Sequence, residues 1–315
     1  MMDLRPVGYV IGLLAAILGA TMFLPMLVDI AHGNGHWRVF LHSGVLTILI
    51  GGGVAVSCSN SVQSGLTIQQ TFLLTTGVWA ALPVFGALPL MLGVTQLDFT
   101  DAYFEAMSGL TTTGSTVITG LDYLPKGILL WRGILQWLGG IGIIVTAMAF
   151  WPMLGIGGMQ LFMMESSEFS TEKALPRVAD IVKAIGYIYL VLSLVCTLAL
   201  WMTGMSFFDA ITHAMTTIST GGFSTSDKSA GDFESPLVES IMVVFMIMGA
   251  LPFLMYLHII KGKPSSFLLD SQVRWFLSIV LIGIILMTFW QMRHEAISFW
   301  IALRHATFNV TSIIT

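Results

Sequence analysis

The chain has 315 residues, of which 56% are hydrophobic and only 10% are charged. Its mean hydropathy is +0.87, which excludes an ordinary soluble domain and predicts an all-α polytopic membrane protein. The net charge of −4 excludes a basic surface for nucleic acid. Cys58 and Cys196 lie in apolar stretches, where we interpret them as buried thiols and not as a disulfide framework.

Apolar runs predict the membrane-crossing helices in chain order. The run that follows Arg5 is too long for a cleavable signal, so we interpret it as the first crossing. A full crossing needs about 20 mostly apolar residues. By this criterion helices are predicted over residues 6–31, 39–58, 68–93, 125–153, 180–204, 236–260 and 270–292. Three shorter segments, 99–110, 207–218 and 297–311, cannot cross and suit the half-helices of re-entrant loops.

One segment of the chain occurs twice. Residues 101–114 (DAYFEAMSGLTTTG) return as residues 209–222 (DAITHAMTTISTGG), in register and without a gap. Each copy lies between two apolar runs, so a half-helix and a Thr/Gly-rich stretch are expected at membrane depth. Backbone without helical hydrogen bonds survives there only where it lines protein or a water-filled cavity. Each unit crosses the membrane twice, so successive units share one orientation, and we expect their loops to converge on a single pore. With the amino terminus inside, the basic residues barely decide the orientation, and Arg132 falls outside or near that interface.

Threonine and glycine in these loops suit the coordination of a small cation. Glycine permits a positive φ, and threonine offers hard oxygen donors that can replace a hydration shell. If the half-helices point their carboxyl ends at the cavity, their dipoles also favour a cation. A seam of small residues for helix packing is the alternative. The predicted ion-binding residues are Thr111, Thr112, Thr113, Gly114, Ser219, Thr220, Gly221 and Gly222.

The helix that follows each loop contains glycine or proline at mid-span. Gly139 and Gly140 follow the first loop, and Gly249 and Pro252 follow the second. Such residues mark kinks or breaks in membrane helices. We consider two interpretations for these four positions, a flexible gate below the loops and close packing of helices.

Other chemistry has little support in the sequence. No nucleophile–base pair, nucleotide-binding loop or redox motif is present, so we expect neither an enzyme nor an organic cofactor. Glu105 and His213 occupy equivalent positions in the two copies. A buried ionisable group there is a functional candidate. Packing is the preferred interpretation for His213, and the site of Glu105 could equally be wet.

Four stretches resemble the membrane subunits of the Trk/Ktr/HKT superfamily of potassium transporters, in particular the bacterial Trk-type subunit. They are Ala106–Val117 (AMSGLTTTGSTV), Leu135–Gly142 (LQWLGGIG), Pro152–Gln160 (PMLGIGGMQ) and Ser219–Ser224 (STGGFS). The resemblance implies helix–loop–helix repeats around a pseudo-four-fold pore axis, preceded by a helical hairpin. It also implies uptake of potassium across the cell inner membrane through a carbonyl-lined filter, a homodimer, and a cytosolic nucleotide-binding regulatory subunit. Potassium would be held at Thr112, Thr113, Thr220 and Gly221, and a third filter would begin around Ile314 and Thr315.

The resemblance also suggests a division of the chain. We expect a hairpin over 1–62, a first unit over 63–153, a cytoplasmic linker over 154–179, a second unit over 180–262 and an incomplete third unit over 263–315. The family has four units, so we expect either a piece of a longer protein or a chain that does not function alone. Two alternatives to a channel-like pathway remain. One is a symporter coupled to protons or sodium; the other is a non-conducting subunit that docks a regulator through 154–179 and 261–272.

Overall fold

The computed structural model describes residues 3–61, 67–154, 174–260 and 269–315. Within these residues the chain is helical and has no strand, which confirms the all-α prediction. The helices are α1 (Arg5–Thr21), α2 (Phe23–Ala31), α3 (Trp37–Cys58), α4 (Ile68–Gly86), α5 (Leu88–Leu92), α6 (Phe99–Leu110), α7 (Lys126–Leu154), α8 (Ala174–Met202), α9 (Phe207–Ile218), α10 (Pro236–Ala250), α11 (Phe253–Ile260), α12 (Ser271–His294) and α13 (Phe299–Ile314).

The helices fall into two compact units. The first lies within Met1–Ser170 and also includes Phe223–Asp227, the segment that directly follows the second repeated loop in the chain. The second lies within Thr171–Gly222 and Lys228–Thr315. The first unit therefore contains α1–α7, and the second contains α8–α13.

Five stretches of the described chain are long and apolar enough to cross a membrane. They are Arg5–Ala31, Trp37–Cys58, Gln69–Leu92, Asp180–Met202 and Ser271–His294. Helix α7 has 29 residues, and α10 is a shorter apolar helix of 15 residues. The predicted linker over 154–179 lies mostly outside the described residues, which resume at the start of α8.

Prolines interrupt two of the predicted crossings. The first crossing, predicted as one helix, consists of α1 and α2, which meet at Met22. Pro25 has no N–H to continue the helical ladder across that junction. The third crossing consists of α4 and α5, separated at Ala87, where Pro89 near the start of α5 has the same effect. Each pair was predicted as a single helix, and each is a helix with a proline-dependent break.

Small residues bring α1 and α3 together in the predicted amino-terminal hairpin. A Cβ added at Gly12 would lie 2.6 Å from the carbonyl oxygen of Gly51, and one at Gly51 would lie 2.7 Å from that of Gly12. Gly19 and Gly44 face each other in the same way, with distances of 2.9 and 3.0 Å. Glycine seams of this kind let membrane helices approach at backbone distance.

A buried carboxylate joins the hairpin to α7. Asp29 is fully buried, and its Oδ1 accepts hydrogen bonds from the Asn34 amide at 3.0 Å and from the Gly127 N–H at 2.8 Å. Its Oδ2 lies 3.0 Å from Nδ1 of His36, whose Nε2 faces the Val94 N–H at 3.4 Å. Because Gly127 is in the first turn of α7, the carboxylate also meets the positive end of that helix dipole.

Candidate functional site

The two half-helices that precede the repeated loops have the same length and the same kind of start. Both α6 and α9 have 12 residues, with the bounds predicted from the sequence. Asp98 caps α6 by accepting from the Asp101 N–H at 2.8 Å, and Ser206 caps α9 by accepting from the Asp209 N–H at 3.1 Å.

Asp101 and Asp209 begin the repeated segment, and each lies two residues after the first residue of its half-helix. Both acids therefore lie in the first turn, where a negative charge complements the helix dipole.

The first loop, residues 111–114, begins with a hydrogen-bonded reversal of the chain. Thr112 has a φ of 56°, in the left-handed region. Its N–H donates to the carbonyl of Gly109 at 3.0 Å, and the Thr113 N–H donates to that of Ser108 at 2.9 Å. This pair of bonds is a Schellman motif, which usually has glycine where Thr112 stands.

The second loop, residues 219–222, repeats this geometry. Thr220 has a φ of 53°, and its N–H donates to the carbonyl of Thr217 at 3.1 Å. The Gly221 N–H donates to the carbonyl of Thr216 at 2.9 Å. Gly114 and Gly222, the last residues of the two loops, share a φ of 80°. Two stretches with different side chains thus adopt one backbone conformation.

The reversal uses the N–H groups of each loop and leaves carbonyl oxygens available. In the part of the chain that the structure describes, no hydrogen bond reaches the backbone oxygens of Thr112, Thr113, Thr220 or Gly221. Each of these loops directly follows the carboxyl end of a half-helix, so the negative end of the helix dipole also adjoins it. In potassium channels, backbone carbonyls replace the hydration shell of the ion, so these four oxygens are candidate cation ligands.

Four of the five loop hydroxyls, those of Thr111, Thr112, Thr113 and Ser219, have hydrogen-bond partners. The Thr111 hydroxyl donates to the Met107 carbonyl at 2.8 Å and lies 2.8 Å from the Thr113 hydroxyl. That of Thr112 donates to the Thr111 carbonyl at 2.7 Å, and that of Ser219 donates to the Thr216 carbonyl at 3.2 Å. The backbone oxygens are therefore better candidate ligands than the hydroxyls.

The helix that follows each loop contacts the end of the half-helix before it. A Cβ added at Gly139 would overlap the carbonyl oxygen of Leu110, the last residue of α6. One added at Gly249 would lie 2.5 Å from the carbonyl oxygen of Ile218, the last residue of α9. Both glycines thus allow close packing of these helices. Their role in gating stays a prediction.

The two following helices differ in continuity. Helix α7 runs unbroken through Gly139 and Gly140. In the second unit the predicted helix over 236–260 is interrupted between α10 and α11, where Leu251 has an extended ψ of 147° before Pro252. The residue before a proline is disfavoured in the helical region, which explains the break.

A buried ion pair lies beside the first loop. Glu105 on α6 is fully buried and Arg132 on α7 is 1% exposed, with 2.8 Å between Arg132 Nε and Glu105 Oε1. Glu105 is therefore not exposed to bulk solvent. Arg132 was expected outside or near the membrane interface, and its pairing with Glu105 was not predicted. An arginine inside an apolar run, opposite a glutamate on a half-helix, is the signal that could have found it.

His213 takes the equivalent position on α9 and has different surroundings. It is 3% exposed, its Nδ1 lies 2.8 Å from the carbonyl oxygen of Asp209, and its ring meets Phe233 edge-on at 5.1 Å. These contacts agree with the packing interpretation.

The half-helix predicted over 297–311 corresponds to α13. Ile314 is the last residue of α13, and Thr315 follows it, with its N–H donating to the Thr311 carbonyl at 2.9 Å.

Arg304 on α13 forms a two-pronged ion pair with Glu239 on α10, at 2.6 and 2.7 Å.

Known proteins resemble the chain over nearly its full length. The family described as TrkH, cation transport protein, matches residues 36–313. The Trk system potassium uptake protein TrkH of Halomonas elongata is 39% identical over all of this chain and 66% of its own length, and that of Escherichia coli is 36% identical with the same coverage. The crystal structure of the potassium transporter TrkH from Vibrio parahaemolyticus superposes with a TM-score of 0.87 at 35% identity, covering 99% of this chain and 64% of that protein. The chain thus spans slightly less than two thirds of the proteins it matches.

Proposed function

The chain belongs to the TrkH family of cation transport proteins, and from that premise we propose that it takes part in potassium uptake through a pathway lined by backbone carbonyls. The observation that carries the proposal is the shared geometry of the two loops. Thr112 and Thr220 have φ values within a few degrees of each other, and Gly114 and Gly222 have the same φ. Packing alone does not require such agreement between loops with different side chains.

In this proposal each loop supplies carbonyl ligands to potassium. Thr112 and Thr113 provide them in the first loop, and Thr220 and Gly221 provide them in the second. Gly114 and Gly222 set the turn that follows, while Thr111 and Ser219 close the half-helices. Carbonyl oxygens replace the hydration shell of the ion, and binding of this kind is weak enough for the ion to enter and leave.

The remaining assignments from the sequence stay proposals. The third loop was predicted to begin around Ile314 and Thr315; because Ile314 ends α13, Thr315 would be its first residue. Pro252 would act as a hinge, an assignment supported by the break between α10 and α11. The repeat boundaries over 63–153 and 180–262 are part of the same proposal. We also propose a homodimer in the bacterial inner membrane and a cytosolic nucleotide-binding regulatory subunit, to be checked by light scattering and co-purification.

Replacement of Thr113 by arginine tests the proposal. The guanidinium would place a positive charge among the cation ligands, so we expect rubidium uptake by cells or liposomes to fall to background while the amount of protein in the membrane is unchanged. Tyr123→Arg is the matched control, because Tyr123 is 92% exposed and lies outside both loops. Normal uptake in Thr113→Arg would contradict the assignment of the filter.

A further inference from the structure

The ion pair of Glu105 and Arg132 extends into a larger hydrogen-bonded cluster. Both side chains are buried, so their mutual charge neutralisation makes burial tolerable. Arginine presents several N–H donors in a fixed planar fork, and here three of them have different partners. Nε binds Glu105, and the two Nη groups bind segments that come from different repeats.

The first of these segments follows the first loop. Arg132 Nη2 donates to the Thr116 hydroxyl at 3.0 Å, and that hydroxyl donates to Glu105 Oε1 at 2.9 Å. The Val117 N–H donates to Glu105 Oε2 at 3.0 Å, and the Ile118 N–H donates to the Thr116 hydroxyl at 3.1 Å. The ion pair therefore fixes the chain from Thr116 to Ile118, beginning two residues after the loop ends.

The second segment follows the second loop, although it belongs to the first compact unit. Arg132 Nη1 donates to the Ser224 carbonyl at 3.0 Å, and the guanidinium lies 4.1 Å from the centre of the Phe223 ring. The Phe223 N–H donates at 3.0 Å to Gln136, one turn further along α7. Phe223 is the residue next to Gly222, so these contacts begin where the second loop ends.

We propose that Arg132 is a positioning residue shared by the two repeats, which fixes the segments that leave both carbonyl loops and so sets the geometry on which cation discrimination depends. The inference rests on the proposed function, since it assigns a role toward the same loops. Glu105 completes the device in two ways. It binds the first segment directly, and it cancels a buried positive charge that would otherwise repel a cation nearby.

Hydrogen exchange of backbone amides tests the positioning role without measuring transport. In Arg132→Gln we expect faster exchange both in residues 115–118 and in residues 223–226, two segments more than 100 residues apart in sequence. Arg132→Lys retains the charge but loses the fork, so it should show a smaller change in the same two segments. If Arg132→Gln fails to fold, Arg132→Lys alone tests the positioning role.

Asp29→Asn is the control for the exchange experiment. It perturbs another buried charge of the same unit, and Asp29 contacts neither segment in the described chain. Its faster exchange should centre on residues 34–36 and on Gly127. A change in Arg132→Lys and Arg132→Gln confined to one segment, or equal to that in Asp29→Asn, would overturn the proposal.

Cation competition tests the consequence for the proposed function. Rubidium uptake is measured in the presence of competing sodium. We expect the preference for rubidium over sodium to be about tenfold lower in Arg132→Lys than in wild type, because the variant loses hydrogen bonds that a charged group makes to the two segments. A lower uptake rate with an unchanged preference would count against the inference. If wild type shows no cation flux at all, the proposed function fails, and hydrogen exchange still decides the positioning role.

Discussion

Thr112 and Thr220 carry the backbone strain of the two loops. Both have the left-handed conformation that glycine adopts freely and that a β-branched residue avoids, at a cost of about 1–2 kcal/mol each. The Schellman hydrogen bonds at the ends of α6 and α9 contribute about 0.5–1.5 kcal/mol apiece and offset this strain. Both strained residues are among the carbonyl ligands proposed above, and backbone strain of this kind tends to persist at functional sites.

Gly222→Ala should destabilise the protein through the backbone alone. Gly222 has a φ of 80°, yet an added Cβ would meet nothing within 4 Å, so steric contact contributes little. We expect a loss of about 1–2 kcal/mol, seen as a lower midpoint of thermal unfolding in detergent, together with reduced rubidium uptake. Gly222→Asn should be closer to wild type, because asparagine tolerates the left-handed region. Equal unfolding midpoints for alanine and wild type would contradict the described conformation.

In both repeats the half-helix that precedes the loop packs against the helix that follows it. The end of α6 packs against Gly139 on α7, and the end of α9 packs against Gly249 on α10. A helix held at backbone distance has little freedom to bend at the contact. We therefore expect any hinge in this part of the chain at Pro252, where the helix is already interrupted, and not at Gly249.

Gly139→Ala should disrupt the contact between α6 and α7. The added methyl group would overlap the Leu110 carbonyl oxygen, so the helices must separate, at a cost of about 1–3 kcal/mol. Gly142→Ala is the matched control on the same helix, because its Cβ would enter open space. There alanine should be neutral or stabilise by up to about 1 kcal/mol through helix propensity. Thermal unfolding of both variants in one detergent checks the difference, and a stable Gly139→Ala would argue against the tight packing.

At the scale of the whole molecule, the proposed pathway needs no chemical energy source. A carbonyl-lined filter lets potassium follow the membrane potential, which supplies about 2.3 kcal/mol per charge at 100 mV. A symporter would instead draw on a proton or sodium gradient. The two mechanisms therefore differ in the potassium accumulation that they can sustain at zero membrane potential.

Liposomes held at a set potential should separate these mechanisms. At 100 mV, inside negative, we expect rubidium to accumulate about 50-fold, and at zero potential it should only equilibrate. Empty liposomes at the same potential are the control for leak. Accumulation that persists at zero potential with an imposed sodium or proton gradient would favour symport.

The sequence predicted features that depend on local signals and missed those that depend on distant contacts. The bounds of α6 and α9 were predictable because polar caps and Thr/Gly loops delimit them. The breaks at Met22 and Ala87 carried a proline signal that the hydropathy criterion ignores. An arginine inside an apolar run indicates a buried acidic partner, but spacing alone does not identify Glu105 or Ser224, which lie 27 and 92 residues away. No local sequence pattern indicates that Phe223–Asp227, which follow the second loop, belong to the first compact unit.

The buried Asp29 has consequences for how the protein is made. Its partners Asn34 and His36 lie five and seven residues away, whereas Gly127 lies 98 residues further along the chain. At ribosomal speeds of about 5–20 residues per second, the carboxylate waits roughly 5–20 s for that last partner. The amino-terminal helices therefore reach the bilayer with an acidic group that only short-range neighbours can shield. In chains that lack Asn34 and His36, we expect membrane insertion of the amino-terminal helices to fail before Gly127 has been synthesised.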